Sequence, residues 1–267
     1  MYAGLDLGSR SVKLALLAGD EIKELRQYDT IKFYRQYGSL VEGKLLLDFE
    51  ALNLPPLQGL VATGYGRLAA RIAGAEVIPE IKAHVLGAVW QTGLEDFTLL
   101  DLGGQDSKII MVRRGRLVNF LTNDRCAASS GRYLENMAAV LGMTVEELGQ
   151  YADDPVELSS TCAVFGETEL VGRIVEGHSL ASLAAGVNYT IFHRVRPLLE
   201  KYKSPVIVFA GGVAKNQALR RILKRELKVE VVVPAYPQYN GALGCCLQAK
   251  QVRSIVKQKG DRVYDQK

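Results

Sequence analysis

Two short turns carry the residues best suited to chemistry. "GLDLGSRSVK" (residues 4–13) and "DLGGQDSK" (residues 101–108) each put an aspartate and a glycine at the end of an apolar run. Glycine lets backbone N–H groups come close to a phosphate, and a neighbouring carboxylate can hold Mg²⁺ through water. Asp6 and Asp101 suit that metal-facing role, while Gly8, Ser9, Gly103 and Gly104 suit the phosphate-facing one. Lys13, on the strand after the first turn, can aim its ammonium at the same phosphates. A third segment, "FAGGVAKN" (209–216), sets Gly211 and Gly212 between a strand and a helix, where backbone can lie flat against an adenosine and a helix N-terminus can face negative charge. Lys215 and Asn216 close that segment and complete the nucleotide-contacting positions. Phosphoanhydride hydrolysis also needs an in-line water, for which Gln105 and Asp101 are the candidates. Gln105 fits equally well as a turn residue bonded to backbone.

Cysteine is the second chemistry-bearing type. Cys245 and Cys246 sit in an apolar helical stretch and read as small buried hydrophobes. Cys126 in "DRCAASSGRYLE" and Cys162 in "STCAVFGETEL" are each followed by residues that can begin a helix, and Arg125 adjoins Cys126. Helix N-termini and nearby arginines favour thiolate, and thiolate favours metal ligation. Glu167 and Glu169 read as an exposed helix face, and His84, His178 and His193 as structural.

The elements that must hold these groups alternate. Strands are expected at "YAGLDLG", "SVKLALLAG", "EIKELRQY" and 57–63, and a helix over "IKAHVLGAVWQTG" ends at Gly93. "FTLLDLGGQDSKIIMVRRG" then repeats the opening strand-turn-strand pattern, so Asp6-Leu7-Gly8 is echoed by Asp101-Leu102-Gly103. Helices follow from about 131 to 141, over "TVEELGQYA" and from about 179 to 202. A strand, Gly-Gly turn and helix come next, then a strand "VEVVVP" and a helix in "NGALGCCLQAK". The pattern is that of an α/β protein. The echo divides the chain into similar halves, 1–93 and 94–256, with a polar tail over 257–267.

Composition narrows the class. In 267 residues, 48% hydrophobic, there is enough apolar material for a substantial core, and 33 basic against 29 acidic side chains is too even a balance for a nucleic-acid binder. The start of the chain lacks a basic segment followed by an apolar one, and no run is long enough to span a membrane. A soluble, cytoplasmic protein is expected, with thiols reduced or metal-bound and no disulfides.

The three glycine segments, in this order and across two similar halves, resemble the actin, Hsp70 and sugar kinase superfamily of ATPases. No GxxxxGK[ST] sequence is present, which disfavours a P-loop fold. More narrowly, "GLDLGSRSVK", "ATGYGR", "PEIKAHVLGA", "DLGGQDSK", "DRCAASSGRYLE", "STCAVFGETEL", "AGGVAKNQAL" and "YNGALG" resemble the BadF/BadG/BcrA/BcrD ATPase family, which includes activators of 2-hydroxyacyl-CoA dehydratases. Two exchanges depart from its usual pattern: Ser129-Ser130 stand for Gly-Thr, and Gly166-Glu167-Thr168 for Ala-Glu-Ser. Ser130 can still cap a helix.

The resemblance implies a duplicated fold with ATP or ADP and Mg²⁺ in the cleft between subdomains, and a homodimer with one [4Fe-4S] cluster on Cys126 and Cys162 of both chains. Two thiolates are half the usual four-cysteine set, and a two-fold axis doubles them. It further implies ATP hydrolysis coupled to one-electron transfer, from a ferredoxin or flavodoxin to an iron-sulfur dehydratase or reductase. Two other classes stay open on the residues. A small-molecule kinase needs an acidic base beyond the two Asp-Leu-Gly aspartates. A non-redox, chaperone-like ATPase predicts a colourless protein indifferent to Cys126 and Cys162.

Overall fold

Asp6 and Asp101 each occupy the next-to-last position of the central strand of a five-stranded sheet, and the two sheets share one strand order. In the computed structural model, every residue is described except 42–43, 49, 65, 67–69, 73–74, 124–129, 160–162 and 265–267, with backbone alone at 44, 70–72, 163–164 and 253–264.

The first sheet runs β3 (Glu21–Asp29), β2 (Ser11–Ala18), β1 (Tyr2–Leu7), β6 (Gly59–Thr63), β8 (Glu76–Val77). The second runs β11 (Arg116–Asn123), β10 (Ser107–Arg113), β9 (Phe97–Leu102), β12 (Val206–Ala210), β13 (Glu230–Val232). In both, the first three strands in sequence are antiparallel neighbours and the last two join in parallel. β1 and β9 are apolar apart from their aspartates and Thr98 because both faces of a central strand are covered; the edge strands β3 and β11 are partly or fully exposed throughout, β3 with alternating charged residues and β11 with Leu117, Val118 and Phe120 exposed among polar ones.

The chain divides into two units, residues 1–93 with 239–267, and residues 94–238. The return of 239–267 to the first unit differs from the 94–256 grouping expected from the duplication. Its cause is α8 (Asn240–Tyr264), which packs on β1, β2, β6 and α2 (Glu80–Thr92) and buries Ala242, Leu243, Cys245 and Cys246 there. The approach is close enough that a Cβ at Gly244 would overlap the Ala83 carbonyl oxygen. α8 also runs through Tyr264, so 257–264 continues the helix where a separate polar tail was expected.

The first unit adds α1 (Thr30–Tyr37) and a small sheet of β4 (Gly38–Val41), β5 (Lys44–Leu47) and β7 (Ala70–Ile72). The second adds α3 (Gly131–Val140), α4 (Val145–Leu148), α5 (Ala163–Val175), α6 (Leu180–Lys201) and α7 (Gln217–Leu227). α4 is far shorter than "TVEELGQYA", although Thr144 and Glu147 close it with a reciprocal capping box. Its C-terminal neighbours turn instead to serve α6, where buried Asn188 donates to the carbonyls of Leu148 (2.8 Å) and Tyr151 (2.9 Å). One large core fills the second unit, built from Leu100, Ile109, Tyr133, Met137, Ile191, Phe192, Phe209 and Ile222 among others.

Candidate functional site

In the first unit, Asp6 is buried near the C-terminal end of β1, and the turn that follows leaves Gly8 half-buried and Ser9 exposed. Lys13 is its direct cross-strand partner on β2. Its ammonium nitrogen stands 3.5 Å from where a Gly8 Cβ would be, so the cation faces the turn. Below the turn, the Thr30 hydroxyl at the start of α1 donates to the Gly8 carbonyl at 2.8 Å. The Asp6 carboxylate looks toward α8: the position of a Cβ on Gly241 lies 2.9 Å from Asp6 Oδ2 and 3.3 Å from His84 Nε2. The start of a long helix is a favourable neighbour for a buried carboxylate, since its free N–H groups carry partial positive charge. Burial, and after it the Asp6 charge, raise the Tyr34 hydroxyl pKa.

The second unit repeats the frame with different contacts. Asp101, 2% exposed, pairs across the sheet with Lys108 as Asp6 pairs with Lys13. Lys108 is itself buried, with its Nζ 2.6 Å from Asp106 Oδ2 and 3.6 Å from Asp101 Oδ2. The turn between them is closed by the Gly103 N–H donating to the Asp106 carbonyl at 3.0 Å. Gly103 and Gly104 are half-buried and Gln105 is exposed at the tip. The two carbonyls at this turn are occupied: Gly131 N–H donates to Gly103 O at 2.9 Å and Arg132 N–H to Gly104 O at 3.0 Å. These are the first two amides of α3, the helix that follows "DRCAASS" directly. Ser130 stands at the N-cap in extended backbone, as expected, but its side chain makes no capping bond. The turn carbonyls take up the amide donors instead.

A further repeat was not read from the sequence. Parallel to the Asp strands run β6 and β12, registered Asp6 to Thr63 and Asp101 to Ala210, and each is followed by a glycine of positive φ, Gly64 (+96°) and Gly211 (+86°). An added Cβ would meet the Leu7 carbonyl oxygen at 2.7 Å and Asp6 Oδ1 at 2.8 Å in one unit, and the Leu102 carbonyl oxygen at 2.2 Å and Asp101 Oδ1 at 2.9 Å in the other. Glycine is required at both places, by the backbone angle and by the carboxylate it lies against. The result is glycine backbone held close beside each carboxylate, and an aspartate flanked by glycine turns is a residue set that fits phosphate oxygens and hydrated Mg²⁺.

In the third segment, Gly211 is buried while Gly212 and Lys215 are exposed. Asn216 is buried: its Oδ1 accepts from Leu219 N–H at 2.8 Å and its Nδ2 donates to Asn188 Oδ1 at 2.8 Å, which caps α7 and ties it to α6. Its side chain therefore positions the Gly211–Gly212 turn.

Cys126 and Cys162 lie outside the described residues. Cys245 and Cys246 are fully buried in α8, and burial pushes both thiols well up from their ordinary values, with the Asp6 carboxylate adding to the effect on Cys245. Both side chains belong to the hydrophobic clusters that pack α8 on the first sheet and α2, the small buried hydrophobes that the sequence indicated. Near Cys162, Glu169 is tied down by the Ser159 N–H (2.8 Å) and hydroxyl (2.9 Å), while Glu167 is exposed. α5 crosses α3 at Gly166, where a Cβ would make an ordinary 3.5 Å contact with Met137 Sδ, so the exchange of Ala for Gly166 is accommodated.

Lys108, Asp106, Thr30, Tyr34 and Gly64 were not singled out by sequence. For Lys108 a signal existed: it follows Asp101 at the same distance as Lys13 follows Asp6.

Residues 3–249 match the BadF/BadG/BcrA/BcrD ATPase family. Over 96% of its length the chain is 34% identical to the 2-hydroxyisocaproyl-CoA dehydratase activator of Clostridioides difficile, of which it covers 99%. It is 37% identical to the (R)-2-hydroxyglutaryl-CoA dehydratase activating ATPase of Acidaminococcus fermentans over 71% of this chain and 74% of that one. Among solved structures, the Clostridium difficile activator with bound ADPNP superposes with a TM-score of 0.82 at 31% identity, covering 97% of this chain and 98% of the other. The fold is the duplicated actin/Hsp70/sugar-kinase type.

Proposed function

This chain belongs to the BadF/BadG/BcrA/BcrD ATPase family, and from that premise we propose that it is an ATP-dependent activator of an iron-sulfur dehydratase or related reductase. In this reading it works as a homodimer in which Cys126 and Cys162 of both copies hold one [4Fe-4S] cluster. The observation that carries the reading is the bonding of Gly131 and Arg132 N–H to the carbonyls of Gly103 and Gly104. A phosphate-binding turn and the helix that follows Cys126 are thereby one mechanical piece. A change at the turn on loss of the γ-phosphate has a direct route to the cysteine segment.

The roles divide by chemistry. Asp6 and Asp101 orient Mg²⁺ through water, and Lys13 neutralises phosphate charge beside Gly8. The turns at Gly8, Gly103–Gly104 and Gly211–Gly212 bring backbone close to the phosphate oxygens, and since the Gly103 and Gly211 N–H groups already donate to the carbonyls of Asp106 and Pro237, the donors are the neighbouring amides of those turns. Gln105, exposed at the tip of the second turn, orients the attacking water in this reading. The products are ADP and phosphate, and the electron passes from a ferredoxin or flavodoxin to the partner, leaving the polypeptide chemically unchanged. When bound, the cluster supplies one-electron storage. Cys126 and Cys162 are the ligands in this reading, since Cys245 and Cys246 are fully buried in the packing of α8.

The test is iron and acid-labile sulfide on protein purified without oxygen. The reading predicts about four of each per dimer, the number in one such cluster, with a visible spectrum that dithionite bleaches and both features lost in Cys126→Ser and in Cys162→Ser. Protein that stays iron-free through anaerobic reconstitution, while still hydrolysing ATP, would refute the redox role and leave the ATPase.

A further inference from the structure

The two turns share a cross-strand lysine, but only one of these lysines is locked. Lys108 is 5% exposed and its ammonium bridges two carboxylates, closely to Asp106 and more loosely to Asp101. Asp106 is also part of the turn: its carbonyl accepts from Gly103, and its Oδ1 stands 2.6 Å from where a Gly103 Cβ would be. Gly103 and Gly104 in turn receive the first amides of α3. A chain of contacts thus runs from Asp101 through Lys108 and Asp106 to the turn, and from the turn to α3.

We propose that Lys108 is a positioning residue that reports nucleotide occupancy at Asp101 to the start of α3, an inference that rests on the function proposed above. A cation or phosphate arriving beside Asp101 changes how strongly that carboxylate draws the Lys108 ammonium. A buried ammonium has little room to move without Asp106, its 2.6 Å partner. Asp106 cannot shift without the turn it closes. Charge at Asp101 is thereby converted into displacement at Gly103 and Gly104, where α3 is anchored. Lys13, half-buried and without an ion pair among the described residues, has no such linkage and is left to bind phosphate.

The experiment is amide hydrogen exchange over residues 130–137 of the full chain, with and without Mg·ADPNP, beside nucleotide affinity and steady-state ATPase kinetics. In the wild type, the nucleotide changes exchange in the first turn of α3. In Lys108→Met that change is lost while nucleotide affinity stays within about threefold, less than one tenfold step of binding energy. The ATPase KM holds and kcat falls. Lys108→Arg restores the exchange response. Lys108→Met/Asp106→Asn leaves neither of the tightly paired charges without its partner and is expected to fold and to behave like Lys108→Met, which keeps the question answerable if the single variant is unstable. A wild-type exchange response in either Met variant that folds would overturn the proposal, as would a wild-type chain whose α3 ignores the nucleotide. Absence of iron would overturn the cluster alone, because the exchange response is read from the polypeptide.

Discussion

At the first turn, Lys13 stands beside Gly8 and the Asp6 carboxylate faces the start of α8; at the second, Lys108 is buried between Asp101 and Asp106, and the turn carbonyls are bonded to α3. Both turns hang a helix from a carbonyl. In the first unit the links are the Thr30 hydroxyl to the Gly8 carbonyl, a longer bond from the Thr30 N–H to the Arg10 carbonyl (3.4 Å) and the Arg10–Asp29 ion pair, and α1 leads into a local core of Phe33, Leu47 and Leu52. In the second they are two backbone bonds, and α3 follows a cysteine. One duplicated frame carries two arrangements: the first turn's lysine faces Gly8 with no ion pair among the described residues, and the second's is bound between two carboxylates of its own unit.

The largest effects are expected where the two units are most alike. Gly211→Ala adds a Cβ 2.2 Å from the Leu102 carbonyl oxygen at positive φ, and Gly64→Ala adds one 2.7 Å from that of Leu7. Strain of the left-handed backbone plus overpacking gives about 3 kcal/mol for Gly211→Ala and about 2 kcal/mol for Gly64→Ala. Urea denaturation ranks them, and a neutral Gly211→Ala would break the equivalence of the two glycine contacts. Next comes the contrast between lysines. Lys13→Met should weaken ATP binding about 30-fold, near 2 kcal/mol for a charged hydrogen bond to phosphate. Equal losses of affinity in Lys13→Met and Lys108→Met, measured by calorimetry, would erase the division of roles.

A smaller effect separates the two helix links. Thr30→Val removes the bond to Gly8 and should cost about 1 kcal/mol of stability while leaving electron delivery to the partner intact. Gly131→Pro puts proline at the first helical position, where it is tolerated, after a Ser130 already extended as a pre-proline residue should be. It deletes one N–H to the second turn and should lower electron delivered per ATP hydrolysed, an effect that Gly131→Ala would not reproduce. The mildest prediction concerns acid. Asp29 caps α1 by accepting from Lys32 and Ile31 N–H, and Glu147 accepts from Thr144; these bonds lower both carboxyl pKa values in the folded chain. With folded values below unfolded ones, the unfolded chain binds more protons as pH falls below about 4, so the stabilisation is present above that pH and is lost below it. The urea midpoint should therefore drop on acidification, and less steeply in Asp29→Asn and Glu147→Gln.

Much of this was legible in the sequence because it rests on local patterns. The Asp-Leu-Gly echo, the strand-turn-strand context and the long helix capped by Ser179 are features of neighbouring residues. What was missed depends on residues far apart in the chain. Gly64 and Gly211 become equivalent only through parallel registers with β1 and β9. The bond from Asn216 to Asn188 joins residues 28 positions apart, which no local pattern announces. α8 follows the second half in sequence, yet its Ala242, Leu243 and Cys246 are buried against the first sheet. β4, β5 and β7 are strands of three or four residues, too short to show a period.

The central claim is that nucleotide at the turns changes the energy of an electron held at the cysteine segment. It is tested most directly by a redox titration of the anaerobically purified protein, followed by electron paramagnetic resonance, with and without Mg·ADPNP. A coupling of about 3 kcal/mol, the upper end of the usual range between two sites, moves a one-electron midpoint by roughly 130 mV. The account predicts a shift to lower potential of tens of millivolts or more, toward that limit. A midpoint indifferent to nucleotide in a protein that binds ADPNP would contradict it.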